Sequence, residues 1–169
     1  MSLTYSHAGA ERKALVPYIF AKSNAPQTRN SQNVAGDATG SVLATVTLPP
    51  GLLSGHTSIF VYALWRVTSS ANVKTLTTKL GGTSFGNHSP TTNISNQTAL
   101  FIHADNAAND QKLVNNAVAG MTGAGSTMID QSKDCSVAID ITFECNWAGA
   151  IGSGSIVLES YRVWVFPGQ

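Results

Sequence analysis

Charge is what this chain has least of: Lys, Arg, Asp and Glu make up only 11% of its residues, against roughly 25% in an average soluble protein. A net charge of +1 supplies no field that would gather nucleic acid or an anionic membrane surface. Basic residues lean slightly toward the start, where Arg12, Lys13, Lys22 and Arg29 precede Gly36 with only Glu11 against them. No apolar run approaches the ~18 residues of a membrane-spanning helix. The start also lacks a hydrophobic signal core, so general secretion is not indicated, and Met1-Ser2-Leu3 is compatible with a cloning remnant. Cysteine is scarce as well. Cys135 and Cys145 share a strand parity and would stand about 33 Å apart in an extended chain at ~3.3 Å per residue. A disulfide needs Cα atoms within ~7 Å. Two reduced core thiols are expected, as suits assembly in a reducing cytoplasm.

What replaces charge is Thr, Ser, Asn and Gln, the surface of a β-rich protein whose strands accept Thr and whose loops use Asn and Gly. With 169 residues, 43% of them hydrophobic, the chain is long enough for one domain with its own core. From Val137 to Trp147 apolar and polar residues alternate, placing Val137, Ile139, Ile141, Phe143, Cys145 and Trp147 on one face of a strand. Further strands are expected at Ser41 to Leu48, Thr57 to Val67, Val73 to Leu80 and Thr98 to His103. Ser136 to Trp147 and Ser155 to Phe166 read as a closing hairpin. Residues 10–21 read as a short helix or an extended arm interrupted by Pro17, and residues 23–33 as a polar linker. The expected division is an N-terminal arm and linker over 1–35 and a β-sandwich over 36–169.

Two strands are apolar on both faces, 59–65 and 156–166. The outer face of a thin two-layer sandwich normally meets water, so their second face predicts an oligomer contact. Phe60, Tyr62, Leu64, Tyr161 and Trp164 are its candidate residues.

Chemistry-bearing patterns are few. Gly82-Thr83-Ser84-Phe85-Gly86 has the spacing of a nucleophile elbow, but the elbow needs a helix directly after the serine, and Asn87-His88-Ser89-Pro90 does not start one. His103 to Asp110 collects oxygen and nitrogen donors suited to a hard cation at no established spacing; turns and caps explain those residues more simply. His7, His56 and His88 add no metal-ligand spacing, so neither a metal nor a cofactor is expected. The A-G-x-x-G-x-G-S pattern at 119–126 and again at 148–155 reads as loop glycines, because no βαβ context surrounds it. Three glycosylation acceptors, at Asn87, Asn93 and Asn96, are read as accidents of a polar loop. That loop, 81–97, is the candidate recognition surface, with Asn87, His88, Thr92, Asn93 and Asn96 as its binding residues. Trp65, Trp147 and Trp164 sit inside strand patterns and read as core or interface residues rather than sugar platforms. No catalytic constellation emerges, and an enzyme is not expected.

The order of Leu43-Ala44-Thr45-Val46-Thr47-Leu48-Pro49-Pro50-Gly51, Tyr62-Ala63-Leu64-Trp65, Asn72-Val73-Lys74-Thr75, Lys79-Leu80-Gly81-Gly82-Thr83 and Val157-Leu158-Glu159-Ser160-Tyr161 resembles bacteriophage virion proteins. These are the jelly-roll modules, similar to the tumour-necrosis-factor fold, that end tail or head fibres. The resemblance covers roughly residues 36–167. It implies an all-β, jelly-roll antiparallel sandwich with an N-terminal arm and a homotrimer. It also implies docking on other virion proteins through that arm, and outer loops that meet a host surface glycan. Such a protein is assembled in the bacterial cytoplasm and resides in the virion, with no nucleic-acid partner and no membrane insertion. The alternatives are a small jelly-roll capsid subunit, whose basic arm would be too weakly charged to neutralise a genome, and a free carbohydrate-binding module or lectin.

Overall fold

A computed structural model describes residues 3–7, 10–14, 16–30, 40–90, 92, 95–104, 109–115, 127–147 and 154–168. The described residues form thirteen strands and no helix. Leu3–His7 (β1) and Ala10–Ala14 (β2) pair only with each other. Tyr18–Ser23 (β3), Gln27–Asn30 (β4), Ser41–Leu48 (β5), Ser58–Val67 (β6), Lys74–Leu80 (β7) and Thr83–His88 (β8) follow. Ser95–Ala104 (β9), Gln111–Asn115 (β10), Thr127–Gln131 (β11), Ile139–Trp147 (β12) and Ser155–Phe166 (β13) complete the set.

Two antiparallel sheets make a sandwich. The larger, of seven strands, runs β11-β10-β9-β6-β13-β3, with β4 also on β13; the smaller runs β5-β12-β7-β8. The pairs are nested: β7 with β8, β6 with β9, β5 with β12, and β3 and β4 with β13. A single long hairpin rolled up on itself produces this nesting, and we read it as a jelly-roll wrapping extended by the β10–β11 hairpin. One consequence corrects the sequence reading. β12 and β13 are not a hairpin, since β12 pairs with β5 and β7 while β13 lies in the other sheet.

The core is the space between the sheets. Ile59, Val61, Ala63, Trp65 and Val67 enter it from β6, and Ile139, Ile141, Phe143, Cys145 and Trp147 from β12. Strict period-2 alternation produces both rows. The Phe143 and Tyr161 rings stack across the gap, 4.9 Å between centroids. Both cysteines are buried and unbridged. Val137, expected in the same row, is 54% exposed. Just before it, Asp134 accepts hydrogen bonds from the Ser136 hydroxyl and backbone N–H. This side-chain turn bends the chain before β12 begins.

Neither a helix nor a free linker occupies residues 18–30. β3 and β4 lie along the same edge of β13, β3 opposite Tyr161–Val165 and β4 opposite Ser155–Leu158. They are one edge strand interrupted at Asn24-Ala25-Pro26. The interruption faces a β-bulge in β13 between Leu158 and Ser160. Pro26 has no N–H to give a ladder, and the Ser23 hydroxyl instead accepts the Ala25 N–H at 3.2 Å. The polar residues of this stretch gave no alternation because the edge is held by backbone pairing.

β7 and β8 are joined by Gly81-Gly82, with φ of 53° and 81°. Two consecutive positive φ values are what a tight two-residue hairpin requires, and glycine adopts them without a steric penalty.

Candidate interaction surfaces

The two outer faces of the sandwich differ in chemistry. On the large sheet, Phe60, Tyr62 and Leu64 alternate with the core row of β6 and point outward, each half-buried. Trp164 stands opposite Phe60 in register, with Ile19 beside it on β3. Ile19 is 39% exposed and Phe166, two residues on from Trp164, is 38% exposed. The result is an apolar patch across three neighbouring strands, interrupted on β13 by exposed Arg162, which stands opposite Tyr62, and flanked by Arg66, which pairs with Glu159.

Tyr161 does not belong to that patch. Past the bulge, β13 resumes with Ser160 opposite Leu64 and Tyr161 opposite Ala63, a core residue. One extra residue in a strand reverses the parity of everything after it. The sequence alternation assigned Ile156 and Leu158 to the face of Trp164. They in fact share the inner face with Tyr161, Val163 and Val165. Four of the five residues expected at a contact therefore meet on one surface, and the fifth packs inside.

The small sheet turns out a polar face. Thr45 and Thr47 on β5 lie beside Thr142 and Asp140 on β12, and Thr77 and Lys79 on β7 beside Glu144 and Thr142. The Thr47 hydroxyl donates to Asp140 at 2.7 Å, the Thr142 hydroxyl donates to Glu144 at 2.9 Å, and Lys79 pairs with Glu144. Asp140, Glu144 and Lys79 thus stand in a hydrogen-bonded layer on this face.

The expected recognition loop is shorter than its sequence suggests. β8 runs to His88 and β9 starts at Ser95, so only residues 89–94 connect them. Asn87 is exposed and His88 half-buried at the end of β8, Thr92 is exposed in the connection, and Asn96 is a residue of β9 paired with Trp65. Asn93 lies outside the described residues. Ser84 sits inside β8, which continues four residues beyond it, so no helix follows at once as an elbow requires.

The cation candidate at His103–Asp110 is split. His103, next to the end of β9, has its Nδ1 2.8 Å from the Ser58 hydroxyl and its ring stacked 6.3 Å from His56, while residues 105–108 lie outside the described residues. Among the described residues no three potential ligands converge. Of the repeated A-G-x-x-G-x-G-S pattern, residues 119–126 and 148–153 also lie outside them.

One cluster was not anticipated. Lys74, the first residue of β7, is fully buried at the end of the sandwich where the β6–β7 and β8–β9 connections meet. Its backbone N–H donates to Pro90 O at 3.2 Å, and its Nζ donates to Ser70 O at 3.1 Å and lies 5.8 Å from the centroid of the Trp147 ring. Burial lowers the pKa of this ammonium from its ordinary value. The only sequence signal was a lysine at an inward parity of a strand, Lys74-x-Leu76-x-Thr78-x-Leu80.

No family model matches the chain, and no curated protein does. Among solved structures it is similar to that of infectious bursal disease virus Gt strain, with a TM-score of 0.40 and 10% identity over 96% of this chain and 37% of that one. It is also similar to the Gx strain structure (TM-score 0.38, 12% identity, 95% and 40% covered). A third likeness is to the VP2 subviral particle of infectious bursal disease virus (0.34, 10%, 98% and 42%). The chain thus spans about two fifths of the length of the structures it matches. Superpositions this loose transfer neither a fold nor an activity, and the architecture rests on the strand pairing itself.

Proposed function

We propose that this chain is a non-enzymatic structural protein of a virion, of the bacteriophage fibre or decoration type, that self-associates as a trimer and presents polar surface to a host glycan. The observation that carries the reading is the apolar patch of Phe60, Tyr62, Leu64 and Trp164 on the outward face of the seven-stranded sheet. Contiguous apolar surface rimmed by polar residues marks a protein contact. The pairing of Arg66 with Glu159 supplies such a rim. The low charge content agrees, because a subunit covered by copies of itself needs little charge to stay in solution.

Self-association on this face leaves the Thr-rich outer face of the small sheet and the connections at the strand ends for the host. Light scattering on the purified chain at micromolar concentration tests the reading, with the mass of three chains expected. Trp164→Asp places a carboxylate in the patch and is expected to yield single chains that remain folded by circular dichroism. A single-chain mass for the unaltered protein removes the proposal, and shell-sized particles would replace the fibre reading with that of a capsid subunit.

A further inference from the structure

Arg162 is a charge without a counter-ion in the middle of the outward face of the large sheet. It stands opposite Tyr62 on β6 and Lys22 on β3, and by the period of two its outward neighbours along β13 are Ser160 and Trp164. None of these is an acid. Arg162 and Lys22 are both exposed, and neither has a hydrogen bond or an ion pair among the described residues. Like charges placed directly opposite one another on paired strands repel, so the single chain leaves this row in an unfavourable state.

Glu159 holds the complementary half. It is the extra residue of the bulge, between Leu158 opposite Trp65 and Ser160 opposite Leu64, and the bulge re-aims its side chain toward the outward Arg66. Arg66 engages Oε1, and Oε2 has no partner among the described residues. An ionised carboxylate has room for a second donor.

We propose that Glu159 of a second copy of this chain accepts the Arg162 guanidinium, so that an ion pair between copies fixes the self-contact on this face. The inference rests on the self-association proposed above and adds which residue of one copy meets which residue of the next. A guanidinium carried into an apolar contact without an acid is strongly unfavourable, and the second copy's face offers that acid. On β3, β6 and β13 together, Arg66, Arg162 and Lys22 stand against Glu159 alone. Orientations that bring the cations of two copies together are therefore repelled, and the orientation that sets Arg162 on Glu159 is selected. In a closed ring each copy gives its Arg162 to the next and receives another on its own Glu159, so every pair is made.

Light scattering and sedimentation of the full chain over a range of concentrations test it. Arg162→Gln and Glu159→Gln should each weaken association about tenfold or more, with the circular dichroism of the folded chain kept. The double variant should be little weaker than either alone, because the first change already breaks the pair. Arg66→Gln breaks only the pair within the chain and should leave association intact, which separates the contact from local support of the bulge. Association unchanged or strengthened in Arg162→Gln, additive losses in the double variant, or a loss in Arg66→Gln as large as in Glu159→Gln would overturn the pairing and leave self-association standing. A single-chain mass for the unaltered protein would remove both.

Discussion

Truncating Tyr161 tests the strand parity on which the assignment of faces depends. Its ring stacks on Phe143 from the opposite sheet at 4.9 Å with 24° between planes. Aromatic pairs in this offset geometry contribute about 0.5–1.5 kcal/mol beyond the area they bury. Tyr161 is half-buried. Tyr161→Ala should therefore cost about 2 kcal/mol, near half of what full burial of an aromatic side chain would give. Phe143→Leu, which keeps most of the volume, should cost roughly 1.5 kcal/mol. Because each change alone already abolishes the stack, the double variant should lose less than the sum by about 1 kcal/mol. Urea unfolding at one chain concentration measures all four proteins, with an unchanged slope showing that midpoint shifts report stability. Additivity within about 0.3–0.5 kcal/mol would mean that the rings do not meet. A fall in solution mass for Tyr161→Ala, with stability retained, would return Tyr161 to the outer face and refute the parity reversal at the bulge.

The hairpin glycines should separate two kinds of strain. Gly81→Ala meets a φ of 53° and places a Cβ 2.8 Å from Ile139 Cδ1, so about 2–4 kcal/mol is expected from conformation and overpacking together. Gly82→Ala, at φ 81° with nothing within 4 Å, should cost only about 1–2 kcal/mol; equal losses by urea unfolding would contradict this. The depressed pKa of Lys74 fixes a sign: below the folded pKa both states are protonated and the burial cost is present in full. As pH rises toward the ordinary value of 10.5 the unfolded chain holds the extra proton, and stability gains. The unaltered protein should therefore gain stability relative to Lys74→Met as pH approaches 10.5, and a constant difference by urea unfolding would oppose that. Burial, with the Asp134 charge adding to it, raises the Cys135 pKa, so a thiol reagent should label neither cysteine at neutral pH until the protein unfolds.

Legibility followed how far each strand is governed by its own side chains. Ser41 to Leu48 and Ser155 to Phe166 have the observed bounds, because Pro49-Pro50 ends the first just after Val46 and Leu48 enter the core, and the second buries Ile156, Leu158, Val163 and Val165. β8 was read as loop, since Phe85 is its only large apolar residue and Gly86 interrupts the pattern. β10 and β11 were absent from the sequence reading as well; β10 extends the large sheet by pairing onto β9, and β11 pairs onto β10. Bulges leave no mark in the alternation, so the faces of β13 were mis-sorted beyond Leu158. The apparent hairpin of β12 and β13 failed for a topological reason: in a nested roll the last two strands occupy opposite sheets, and chain proximity does not decide pairing. At the candidate surfaces, the apolar outer row of β6 was visible as a second hydrophobic parity. The Lys74 cluster was not, since its members are brought together only when β7 and β12 align Lys74 with Trp147.

The contrast between the two outer faces gives the low charge content a structural meaning. A sandwich that met water on both sides would need polar side chains on the outward rows of both sheets. Here β12 and its neighbours supply a continuous polar row on one side, with Asp140, Glu144 and Lys79 held in hydrogen bonds or an ion pair, whereas on the large sheet charged residues such as Arg162, the Arg66–Glu159 pair and the Lys112–Asp130 pair lie among or around apolar ones. On the other side, the outward positions of β6 between Ser58 and Arg66 are Phe60, Tyr62 and Leu64. Exposed ion pairs stabilise a fold by about 0–1 kcal/mol each, so the charged layer does little to hold the sheets together and its effect is to keep one face wetted. Burying the other face in a contact between chains would leave the polar face outward in every copy, whatever the number of copies. The surface offered to a partner of different chemistry is then the Thr-rich sheet and the strand-end connections beside it.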